Sequence, residues 1–174
     1  MFDPTVFDNV KVVLEGELYE LDSSKKISII NRKDIVDLAS MSRKFMMSFK
    51  EYNCVSSHPF AEIHLHTDLQ NFQMELLQKD PQAAGCTVTV FFYIELMNGV
   101  TDCDDIEAYL NVLCSHQATI SQQIYYDYCH RENLYNKVSL HFVNKIGEED
   151  VDELLSFIYY TYEALQQFTL RYCD

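Results

Sequence analysis

The chain predicts an α+β domain, a two-layer sandwich in which a mixed β-sheet carries helices mainly on one face. Three observations point there. In Ala61–Thr67 the residues Ala61, Ile63 and Leu65 alternate with Glu62, His64 and His66, so the strand has one dry side and one wet side. Cys86–Met97 sets Val88, Val90, Phe92, Ile94 and Leu96 against Thr87, Thr89, Phe91, Tyr93 and Glu95. Near the C-terminus, Val151, Leu154, Leu155, Ile158, Tyr162, Leu165 and Phe168 recur at helical spacing. A doubly wound sheet is buried on both faces and reads apolar throughout; these strands do not. The uncovered face is expected to present Glu62, His64, His66, Thr89, Phe91, Tyr93, Ser139 and His141.

Taken in order, Val10 to Leu14 reads as a strand, and Glu17 to Leu21 continues it past Gly16. Ser23 to Lys26 is a turn and Ile27 to Ile30 a short strand. Asn31 reads as an N-cap with Asp34 in the first turn. Ile35, Leu38, Met41, Phe45 and Phe49 then predict a helix to about Glu51. A loop through Pro59 leads into Ala61–Thr67. Asp68 caps a shorter helix to Leu77, with Leu69, Phe72 and Leu76 on its dry side. Pro81 and Gly85 precede the Cys86–Met97 strand, which Asn98-Gly99 ends. Asp102, Asp104 and Asp105 open a helix to about Ser115, where the helix dipole favours acid. Ile120 to Cys129 fits either period; its Tyr and Ile content favours a strand, paired through Glu132-Asn133 with Lys137–Val143. Gly147 and an acidic turn begin the last helix, to about Tyr172. No linker, repeat or low-complexity run divides the chain, which is expected to form one domain over residues 1–174.

With 174 residues and 48% hydrophobic content, the chain can close a core without covalent staples. Its net charge is −14, all of it carried by residues 51–174. Such a balance repels phosphate backbones and anionic bilayers, so neither nucleic acid nor membrane is an expected partner. The Lys/Arg residues of the first fifty positions (Lys25, Lys26, Arg32, Lys33, Arg43, Lys44, Lys50 among them) are an exception to the acidic trend. Six separated cysteines without a Cys-x-x-Cys read as reduced thiols in a cytoplasmic protein. Neither a signal sequence nor a membrane-length apolar run is present in the sequence.

Candidate chemistry centres on one strand. Side chains two apart on a strand lie about 6–7 Å apart, within reach of a shared divalent metal. His64 and His66 are so placed, with Glu62, Asp68 and His141 as further candidate ligands. The string Glu62-Ile63-His64-Leu65-His66-Thr67 resembles the Asp-Leu-His-x-His-Thr motif that opens PHP-domain phosphoesterases, with Glu in place of Asp. The resemblance spans six residues and implies metal-ligand roles for His64 and His66. The remaining ligand motifs of that family are not evident, and about 110 residues follow, fewer than its barrel needs. The four isolated glycines spell neither a dinucleotide fingerprint nor a P-loop, and there is no Gly-x-Ser-x-Gly elbow.

Ten of the twelve tyrosines lie from Tyr93 onward, a bias that suits half-buried rims and contact surfaces. Phe91 and Tyr93, with Tyr160 off the stripe of the last helix, are the candidate interface residues. No complete catalytic set is present. The leading expectation is therefore a non-enzymatic module that binds a protein partner or a second copy of itself through the open sheet face. The alternatives are a metal-dependent hydrolase at His64 and His66, and a small-molecule sensor using the same face.

Overall fold

A computed structural model describes residues 5–77, 85–115 and 117–173. Its elements run α1 (Thr5–Ser23), β1 (Ile27–Asp37), β2 (Ser42–Glu51), β3 (Phe60–Thr67), α2 (Leu69–Leu77), β4 (Thr87–Leu96), α3 (Val100–Leu113), β5 (Ala118–Asp127), β6 (His130–Phe142) and α4 (Val151–Tyr172). The six strands form one sheet in the order β1-β2-β3-β4-β6-β5. This is the two-layer α+β arrangement expected. Every pairing is antiparallel, however, so the sheet is not mixed. The hairpins β1–β2 and β5–β6 and the reversal around α2 account for this. β4 and β5 do run in the same direction, but β6 is inserted between them.

The dry layer follows from strand alternation. Phe45, Met47 and Phe49 of β2, Ala61, Ile63 and Leu65 of β3, and Val88, Val90, Phe92 and Ile94 of β4 point to one side, all buried. Over them lie the buried stripes of α1 (Phe7, Val10, Leu14, Leu18, Leu21), α3 (Ile106, Leu110) and α4 (Leu154, Phe157, Ile158, Leu165, Phe168). Phe168 meets Phe92 edge-on with centroids 5.1 Å apart, and Phe157 stacks on Phe142 at 3.8 Å. α2 sits at the end of the sheet: Glu75 Oε1 accepts from the Thr5 N–H, and Lys145 donates to Asn71.

Several stretches differ from expectation, and the β5–β6 turn is one: it lies at Tyr128-Cys129, while Glu132-Asn133 is inside β6. Residues 10–21 form α1 rather than a strand pair. Val10, Val12 and Leu14 do alternate, but the longer stripe of Phe7, Val10, Leu14, Leu18 and Leu21 has helical steps and is the one buried. Residues 31–51 form the second half of β1, a turn, and β2, rather than a capped helix. Phe45 and Phe49 are spaced four apart, which satisfies both periods, and Met47 between them decides for the strand. Met41 occupies the left-handed region (φ 51°) in the connecting turn, which no continuous helix would contain. The dry side expected for α2 is only partly found, with Phe72 half-buried, Leu69 and Leu76 exposed, and Asn71 the helix's buried residue.

Asp102, 1% exposed, folds back to accept from the N–H groups of Met97 and Asn98, bracing the β4–α3 turn in which Gly99 takes φ 63°. No helix among the described residues is long and apolar enough to cross a membrane. Cys54, Cys86, Cys103 and Cys114 are buried and free; Cys54 and Cys173 bring their Sγ atoms within 2.8 Å, and burial pushes the Cys54 thiol up to about 11.

Candidate functional site on the open sheet face

Among the described residues, α1, α3 and α4 all pack on the dry side, and no helix crosses the other. The register lays out the open face row by row. Ser48, Glu62, Phe91 and Ser139 form one row across β2, β3, β4 and β6; Met46, His64, Thr89 and His141 form the next.

A polar knot sits at the centre. His64 Nε2 lies 3.0 Å from Glu62 Oε2, Ser48 donates its hydroxyl to Glu62 Oε1 at 2.9 Å, and the Tyr93 hydroxyl reaches Glu62 Oε2 at 3.4 Å. The His64 contact holds the Glu62 carboxyl below its ordinary range against the opposing effect of burial, with Ser48 and Tyr93 helping. Burial, then the neighbouring Glu62 charge, raises the Tyr93 phenol to about 12. Although its strand face carries no helix, His64 is only 8% exposed, flanked by Glu62 and the Phe91 ring. The Phe91 ring is 4.6 Å away by centroid.

Around the knot runs a chain of rings. Phe60 stacks on Tyr93 at 4.5 Å, His58 lies 5.5 Å from Phe60 and 5.0 Å from Tyr135, and Tyr135 stacks on Tyr125 at 5.6 Å. Lys137 places its ammonium 4.5 Å from the centroid of Phe91 and 5.7 Å from that of Tyr93.

The five candidate metal ligands do not converge. Glu62 and His64 bond each other. His66 lies between Lys44 and Thr87 in its row. Asp68 has left the sheet and caps α2, accepting from the Asn71 N–H and amide at 2.9 Å each. His141 is separated from His64 by β4, roughly 10 Å at two strand spacings, and contacts Thr89 at 3.4 Å. Among the described residues no three or more His, Cys, Asp or Glu side chains are grouped to hold a metal.

Phe91 and Tyr93 share the open face as expected, but Tyr160 does not join them. It lies on α4 and packs against the core from the opposite layer. A groove of about 400 Å³ between α3 and α4, lined by Ile106, Tyr109, Phe168 and Arg171 among others, is likewise on the helical side.

Phe60, Lys137 and Tyr135 were within reach of the alternation argument, since each is in phase with Glu62 or Ser139 on its own strand. Ser48 was not, because Phe45 and Phe49 on either side of it fit a helical period as well as a strand. No family model, no curated protein and no solved structure matches the chain.

Proposed function

We propose that this protein is a non-enzymatic binding module whose open sheet face docks an acidic, aromatic-bearing segment of a protein partner. The observation that carries the reading is the composition of that face: a connected ring surface beside a set of uncompensated ammonium groups. Lys33, Lys44, Lys50 and Lys137 share it with three acids, Asp37, Glu62 and Glu95; Glu62 is already engaged by His64, and Asp37 accepts from the Ala39 and Ser40 N–H groups in the turn. Lys33 and Lys44 enter no ion pair among the described residues. The helical layer has the opposite character, since α1, α3 and α4 hold twelve Asp and Glu against Lys11 and Arg171. Aromatic anchors ringed by like charges suit an interface whose partner has the complementary sign.

Selection of random peptides displayed on phage tests this. Peptides enriched in Asp or Glu with an aromatic residue are expected. Their binding should fall at least tenfold in the Tyr93→Ala/Lys137→Glu variant and remain unchanged in Val112→Ala, which alters the 80% exposed Val112 of α3. Absence of enrichment, or binding indifferent to Tyr93 and Lys137, overturns the reading.

A further inference from the structure

The two edges of the sheet differ in how they meet solvent. β1 is guarded: its pairing with β2 is broken by an irregularity between Ile29 and Asn31, and it carries Arg32, Lys33, Asp34 and Asp37. Arg32 is tied to Glu15 and Asp34 to Lys11, both on α1. Bulges and charges of this kind keep an edge from pairing with another strand. β5, at the other edge, has neither device over most of its length. Ala118 to Tyr126 contains no charged residue, no Pro and no Gly, in a protein of net charge −14, and its ladder with β6 is regular from Ala118 to Tyr125.

The hydrogen-bond phase of β5 is fixed. The carbonyl of Gln117 accepts from Val143 on the β6 side, so odd-numbered residues turn their backbone groups toward β6. Ile120, Gln122 and Ile124 therefore direct N–H and C=O to the free edge. These groups are a template for an extended strand, which repeats donors and acceptors at this spacing.

From this edge we infer that β5 pairs antiparallel with β5 of a second copy of this chain, about a two-fold axis at Gln122, joining two sheets into one of twelve strands. A two-fold axis maps each residue onto its mirror position, and about Gln122 every mirror pair from Ala118 to Tyr126 is uncharged. Ile120 faces Ile124 on the helical side, while Ser121 faces Gln123 and Thr119 faces Tyr125 on the open side. Isoleucine meets isoleucine on one side and uncharged polar groups meet on the other, and the residue on the axis is one whose backbone groups point outward, as a hydrogen-bonded central pair requires. The absence of charge lets two strongly acidic molecules meet here. Glu107, 3.4 Å from the Gln122 amide, comes close to its own copy beside the axis, so added salt strengthens the contact. This inference concerns the edge and does not rest on the docking role of the open face.

Sedimentation of the full chain tests it. The wild type is expected to be a dimer that tightens as salt rises. Ser121→Lys/Gln123→Lys places ammonium groups opposite one another at exposed positions and should shift dissociation at least tenfold toward monomer, with an unchanged circular dichroism spectrum. Ser121→Glu/Gln123→Lys places opposite charges across the axis and should remain a dimer. A monomeric wild type, even one whose edge takes up a strand from another protein, overturns the inference. So does a dimer that survives the double lysine change, or one that salt dissociates; the last would indicate attraction between the lysine-bearing face and the acidic helices.

Discussion

Glu62 and His64 stand two apart on the wet phase of β3 and are hydrogen-bonded at 3.0 Å, with Ser48 completing the carboxylate's shell from β2. A half-buried carboxylate so held contributes on the order of 1 kcal/mol to stability, and Glu62→Gln should lose about that much at neutral pH. The sign with pH follows from the lowered carboxyl. Its contribution is present above the ordinary value of 4.5 and is lost as pH falls through the lower folded-state value. Urea unfolding of both proteins from pH 7 to pH 3 should therefore show a gap that closes below about pH 4.5; a gap that widens in acid contradicts the assignment. At this scale the sequence was partly legible. The alternation of Ala61–Thr67 placed Glu62, His64 and His66 on one face. The strand order that separates His141 from them depends on tertiary pairing, and the capping role of Asp68 was visible yet competed with a ligand role on the same carboxylate.

Strand β4 carries the division between layers within single steps. Phe92 is fully buried against Phe168, whereas its neighbour Phe91 lies half-buried on the open face under Lys137. Phe92→Ala should cost about 3–5 kcal/mol through cavity formation, and Phe91→Ala only about 1 kcal/mol from lost cross-strand contact. Chemical denaturation decides; equal losses would mean that both faces are equally covered. The alternation of β4 runs for ten residues and could be read directly, as could the stripe of α4. In the first fifty residues only the turn at Ser23–Lys26 and the strand beginning at Ile27 could be read. There the apolar residues are few enough to fit two periods, and Val12 and Val13 favour a strand locally while tertiary burial selects the helix. β1 is an edge strand exposed from Ile30 to Asp37, so it leaves no clear alternation.

Over the whole molecule, charge and shape divide together. An acidic helical layer covers one side of an antiparallel sheet, and the other side combines rings, histidines and lysines. The half-polar strands showed that one face was open, but the net charge of −14 hid its lysines, because Lys33, Lys44 and Lys50 reach that face through the β1–β2 register and Lys137 through the β4–β6 register. Hydroxyl-radical footprinting of the free protein, read residue by residue along β4, examines the open face directly. Phe91 and Tyr93 should be oxidised at least several-fold faster than Phe92, and a selected acidic peptide should protect the first two alone. Equal protection of Phe91, Tyr93 and Phe92 in the free chain would mean the second face is covered and would contradict the account.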